Sequence, residues 1–124
     1  MAISTTFQGD MLMQAAETHY LDNGYTFHIP PVSYRRRVCV PLLMAVAPGG
    51  KSKAKHMLVF NGSWVTEAKA EGAIFLDGGS MPATACNSWN TYIEPNQSVS
   101  IQAVSEGSNG GYALPSITVL IGQD

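Results

Sequence analysis

Hydrophobic and polar residues alternate with a period of two along much of this chain. Val99, Ile101 and Ala103 alternate with Ser98, Ser100 and Gln102, and Tyr25, Phe27 and Ile29 alternate with Thr26 and His28. Successive side chains of a strand point to opposite sides, so this pattern predicts strands with one apolar and one wet face. His56 to Phe60 and Ile117 to Ile121 are apolar or β-branched runs with weaker alternation, and residues 73–76 and 91–93 supply two more short strands. Val38 to Val46 is apolar on both faces, which predicts a strand covered on both sides, by a second sheet or by a neighbouring subunit. Two segments leave a helix open. Met11 to Tyr20 contains good helix formers but also alternates tolerably, and its context favours a strand; Thr66 to Glu71 has the length of one helical turn.

Turn chemistry punctuates these runs. Asp22-Asn23-Gly24, Pro48-Gly49-Gly50, Asn61-Gly62, Asp77-Gly78-Gly79, Pro95-Asn96 and Asn109-Gly110-Gly111 favour tight reversals or positive φ. Asn61-Gly62, between Phe60 and Trp64, predicts a two-residue hairpin. About seven or eight short strands, with turns about every ten to fifteen residues, predict an all-β fold: one β-sandwich or jelly roll spanning residues 1–124. A chain of 124 residues buries a sufficient core without metal or disulfide staples.

Charge changes the picture. Charged residues make up 13 % of the chain, against roughly 25 % in ordinary soluble domains. Ser, Thr, Asn, Gln and Gly take their place, a surface that suits subunit contacts because hydroxyls and amides tolerate desolvation better than charges. The plainer alternative is a low-charge β-domain with no partner. All seven Lys and Arg residues lie between Arg35 and Lys69, with Glu67 the one acid among them, and the other eight acids flank that segment. The net charge of −2 therefore hides a dipolar sequence, suited to docking on an acidic surface or head-to-tail on a copy of itself. In a strand, Arg35 and Arg37 share one face and Arg36 takes the other. Lys51, Lys53 and Lys55 line one side of a loop or strand start. These six residues are the candidate partner-binding set; the alternative is a solvated face whose lysines protect a sheet edge. Overall acidity and the lack of a binding motif weigh against nucleic acid.

Trp64, Trp89 and Tyr92 stand beside Asn-rich turns, a combination that grips sugar rings, although aromatics more often cap a sandwich core. His19, His28 and His56 are far apart and show no metal-ligand spacing; His28 and His56 fall in strand-like runs, where a structural role is expected. No nucleophile elbow, phosphate-binding loop or dinucleotide fingerprint occurs, so the expectation is a non-enzyme with no cofactor and no metal. Cys39 reads as a small buried hydrophobe and Cys86 as the more exposed thiol, with a bridge between them left open. The start of the chain lacks a basic, then apolar, signal pattern, and the run from Val38 to Ala47 is about half a membrane span. The expected place of synthesis is a cytoplasm, with no membrane segment.

Three stretches carry a resemblance: Ser4 to Gly9 (Ser-Thr-Thr-Phe-Gln-Gly), Ile93 to Ile101 (Ile-Glu-Pro-Asn-Gln-Ser-Val-Ser-Ile) and Pro115 to Gly122 (Pro-Ser-Ile-Thr-Val-Leu-Ile-Gly). In these the chain resembles the small all-β accessory proteins of tailed bacteriophage virions, capsid decoration proteins and fibre end domains. The resemblance implies a sandwich or jelly roll, often a homotrimer, that clamps neighbouring capsid subunits at the virion surface and has no catalytic residues. Its partners would be capsid protein or sister subunits. The alternative function is a lectin-like or receptor-binding carbohydrate module using Trp64, Trp89 and Tyr92.

Overall fold

The computed structural model describes residues 4–7 and 11–124, with side chains described from Glu17 onward. Gln8, Gly9 and Asp10, which complete the first resembling stretch and hold one flanking acid, lie outside the described residues. Twelve strands follow in chain order: β1 (Ser4–Phe7), β2 (Met11–Asp22), β3 (Thr26–Ile29), β4 (Arg36–Ala47), β5 (Lys53–Phe60), β6 (Ser63–Glu71), β7 (Ala73–Ile74), β8 (Ser80–Met81), β9 (Ala83–Ile93), β10 (Val99–Ser108), β11 (Tyr112–Ala113) and β12 (Ser116–Gln123). Among the described residues no helix is long and apolar enough to cross a membrane.

Two antiparallel sheets form a β-sandwich. The first runs β1-β2-β12-β4-β9, with β11 continuing the line of β12 along the same edge of β4; the second runs β3-β10-β5-β6. The period-two pattern decides which residues meet between them. Val38, Val40, Leu43 and Ala45 of β4, and Val119 and Ile121 of β12, face Leu58 of β5 and Val99, Ile101 and Ala103 of β10 in one continuous core. At roughly 25 cal/mol per Å2 of apolar surface removed from water, this layer is the main stabilising term.

Several sequence expectations change in the folded chain. Thr66 to Glu71 is strand, not a helical turn: Ala68 and Ala70 turn inward and Lys69 and Glu71 outward. The small strand at 91–93 is the end of the eleven-residue β9. Within the single chain the second sheet covers one side of Val38 to Val46; on the other side Cys39 is buried and Leu42 exposed. Pro41 explains the interruption in β4. It has no N–H for the ladder, and the register with β9 breaks between Val40 and Leu43. The Asn61-Gly62 hairpin forms as predicted, with Phe60 paired to Ser63 and both turn residues at positive φ (52° and 79°).

Polar pins fix how the sheets meet. His56 is fully buried; its Nδ1 accepts the Met44 N–H (3.1 Å), so its proton sits on Nε2, 3.0 Å from the Asn23 Oδ1 that accepts it. Asn23 in turn donates to the Leu114 carbonyl (2.6 Å). One side chain of β5 thereby ties β4 to two turns, and burial pushes its pKa below 6.5. Along one long side, Asn87 of β9 donates to Thr66 Oγ1 (2.7 Å) and to the Glu67 carbonyl (3.0 Å), closing β6 against β9. At the end holding the 48–52 turn, backbones touch directly. A Cβ on Gly72 would lie 1.8 Å from the Gly49 oxygen, and one on Gly111 2.0 Å from the Lys53 oxygen.

Candidate functional site

The six basic candidates do not form one patch. Arg36 starts β4 opposite Ile93 and Gln123, whereas Lys53 starts β5 just beyond the other end of β4. Twelve strand residues separate these ends by about 35 Å at roughly 3.3 Å per residue.

At the arginine pole the strand alternation holds as expected, and it buries one of the three arginines. Arg36 points between the sheets and is only 5 % exposed, donating to the carbonyls of Pro30 (2.9 Å) and Gln97 (3.3 Å). It is therefore withdrawn from any docking surface. Arg35 and Arg37 point outward around Tyr92, whose ring centroid lies 3.8 Å from the Arg35 guanidinium, and whose hydroxyl accepts from Arg37 at 2.6 Å. Arg35 also pairs with Glu94 (3.5 Å) and Asp124 (3.6 Å), and Arg37 with Asp124 (3.6 Å). Each such exposed pair contributes at most about 1 kcal/mol, but together they bring flanking acids onto the basic segment. Separation along the sequence is thus not separation in space.

The opposite pole is different. Lys51 and Lys53 are exposed and, among the described residues, have no ion pair, while Lys55 leans over the Trp64 ring at 5.6 Å. Beside them β7 and β8 form a hairpin that sits outside both sheets. Ile74, Phe75, Leu76 and Met81 are all exposed on it, Leu76 completely. Its tip is held by Phe75 N–H to the Gly79 carbonyl (2.8 Å), Gly78 N–H to the Phe75 carbonyl (3.0 Å) and Gly79 N–H to Asp77 Oδ1 (2.9 Å). Ile74 lies over Gly50, where a Cβ would come within 2.5 Å of it, so the hairpin root packs on the turn that carries Lys51. Four neighbouring exposed apolar side chains on an ordered hairpin form a contact surface of the kind that partners cover. Sequence reading assigned residues 73–76 to a short sheet strand. The signal against that was available: the apolar run has no alternation and is framed by Gly72 and Asp77-Gly78-Gly79.

The aromatic candidates do not converge on one platform. Trp64 lies on the outer side of the second sheet, 54 % exposed; Tyr92 lies on the outer side of the first, between the arginines. Trp89 points inward and packs on Phe60, centroids 4.9 Å apart, as a core-capping residue. His56 is structural as expected, but His28 is exposed on the edge strand β3, and His19 stacks on Phe27 at 4.5 Å. Cys39 is buried, its thiol pKa raised by desolvation, and Cys86 is exposed; both are free. Among the described residues no group of three His, Cys, Asp or Glu could hold a metal.

The outer faces of the sheets also differ. The second carries Lys53, Lys55, Glu67, Lys69, Glu71 and Glu106 around Met57 and Val59, an ordinary solvated pattern. On the first, strands β4, β9 and β12 present Cys39, Met44, Val46, Thr84, Cys86, Ser88, Asn90, Thr118 and Leu120, with Arg37 the one charge that these three strands place on this face. No known family model matches the chain, and no curated protein matches it.

Proposed function

We propose that this chain is a non-enzymatic β-sandwich that works by attachment: a virion accessory protein of the capsid-decoration kind, binding repeated protein surfaces as an oligomer. The observation that carries the reading is the hairpin of β7 and β8, which holds Ile74, Phe75, Leu76 and Met81 in water next to the exposed Lys51 and Lys53. An apolar finger flanked by cations suits an acidic protein surface with an apolar cleft, the lysines guiding approach and the finger supplying contact area. Modest contacts per copy become firm attachment when several copies of an oligomer engage a fixed lattice. The charge-poor outer face of the first sheet is the surface suited to sister subunits, with the trimer taken from the resemblance to virion accessory proteins.

Strand order supports the same class. With the edge strand β1 and the two-residue β11 left out and the other eight strands of the two sheets numbered consecutively, the sheets read 1-8-3-6 and 2-7-4-5, the order produced when two Greek keys wrap into a jelly roll, a fold found in capsid and lectin domains. Fold alone does not fix function, so the test is attachment itself. Particles from the native source are banded on a density gradient, and the band is examined for the chain. Stoichiometric presence with a major capsid protein, lost on Leu76→Asp and weakened by Lys51→Glu with Lys53→Glu, is the expected result. A chain found only free in solution sinks the virion reading; attachment unchanged by these substitutions sinks the docking role of this pole.

A further inference from the structure

On the long side of the sandwich opposite the Asn87 bridge, where His19 of β2 stacks on Phe27 of β3, a cavity of about 330 Å3 lies between β2 and β12 of one sheet and β3 of the other. Its size is at the lower end of small-ligand sites. Arg36 lines it. This guanidinium is 5 % exposed, its Nε has no hydrogen-bond partner, and no carboxylate pairs with it among the described residues. Its two bonds go to neutral carbonyls. The contrast with its neighbours is instructive, since Arg35 and Arg37 share Asp124. A permanent charge held between two sheets without a counter-ion is unfavourable unless an anion joins it.

The other walls narrow the class of anion. Phe27, Val32 and Ile121 give the cavity an apolar body, while His28 and Tyr34 offer polar contacts at its edge. Glu17 also lines it, turned toward His19 at 3.7 Å. One guanidinium balances a single negative charge, and the Glu17 carboxylate disfavours a dianion. A carboxylate matches the planar fork of donors on an arginine. We propose that this cavity binds a small organic monocarboxylate, its carboxylate on Arg36 and its apolar body against Phe27, Val32 and Ile121. The site is independent of the docking pole, being at the other end of β4.

The test is a two-dimensional amide NMR titration of the full chain with benzoate, alongside benzamide as its neutral isostere and inorganic phosphate as a compact, more highly charged anion. Benzoate should give saturable shifts confined to residues 17–19, 27–36 and 117–123, with benzamide at least tenfold weaker. Arg36→Met should abolish them. Because Arg36 also holds two loop carbonyls and its loss risks the fold, Val32→Trp, which keeps the arginine and fills the cavity from a loop, should give the same loss in a folded chain. No benzoate shifts, equal response to benzamide, tighter binding of phosphate, or unchanged binding in folded Val32→Trp would each overturn the proposal.

Discussion

Replacing His56 with leucine removes one side chain and orphans two polar groups. The imidazole accepts from the Met44 N–H and donates to Asn23 Oδ1, and all of this lies in a fully buried position. Leucine is similar in volume, so the cost comes mainly from the two unpaired groups, each about 1–3 kcal/mol, giving a loss of about 2–6 kcal/mol near neutral pH. A second signature separates this account from simple repacking. Burial lowers the folded-state pKa of His56 below its ordinary 6.5, so the unfolded chain takes up a proton that the folded chain refuses. Stability is then fully present above about pH 6.5 and lost as pH falls through that value toward the folded pKa, with a limiting slope of about 1.4 kcal/mol per pH unit. Protonation at Nδ1 would also break the bond from Met44. Urea unfolding followed by tryptophan fluorescence at pH 8, 7, 6 and 5 measures both effects, since His19 and His28 are common to the two proteins. The stability gap between wild type and His56→Leu should be widest at pH 7–8 and narrow toward pH 5. Parallel profiles across this range would refute the buried neutral imidazole.

Three further outcomes follow from the packing. Trp89→Ala should cost about 3 kcal/mol in urea unfolding through loss of the contact with Phe60, whereas Trp64→Ala, at an exposed position, should cost less than about 1 kcal/mol. Gly111→Ala should destabilise by at least about 2 kcal/mol, read as a lower thermal midpoint, because its Cβ would meet the Lys53 backbone oxygen at 2.0 Å. Iodoacetamide should modify Cys86 promptly in the folded chain and Cys39 only on unfolding, counted by intact mass.

The β-class and most strands were legible because their inward residues are large and regularly spaced, as in Val99, Ile101 and Ala103. Reading failed where the inward residues are small. Ala68 and Ala70 of β6 sit among Glu and Lys, whose helix propensity hides the alternation, and Ala83 and Ala85 of β9 give almost no hydrophobic signal. The burial of Arg36 was recoverable. It has the same parity as Val38 and Val40, so the phase that takes those valines inside takes the arginine with them. The pairing of Arg35 and Arg37 with Asp124 was not recoverable, because it depends on β12 lying beside β4, a neighbour set by topology and not by local pattern. The exposed hairpin escaped for a related reason: an apolar run identifies what could be buried, and only the assembled sheets reveal that no place remains for it.

The Asn87 bridge gives the molecule a spine. With β6 and β9 fastened by hydrogen bonds along one side, and β2 and β3 meeting along the other at the His19–Phe27 ring contact beside a cavity, breathing of the two layers should be hinged, like covers that part at the fore-edge first. Amide exchange should therefore run in a gradient across the second sheet, quickest at β3 and slowest at β5, the central strand nearer the fastened side. Among the described residues, it is at that margin that the cavity beside Arg36 lies.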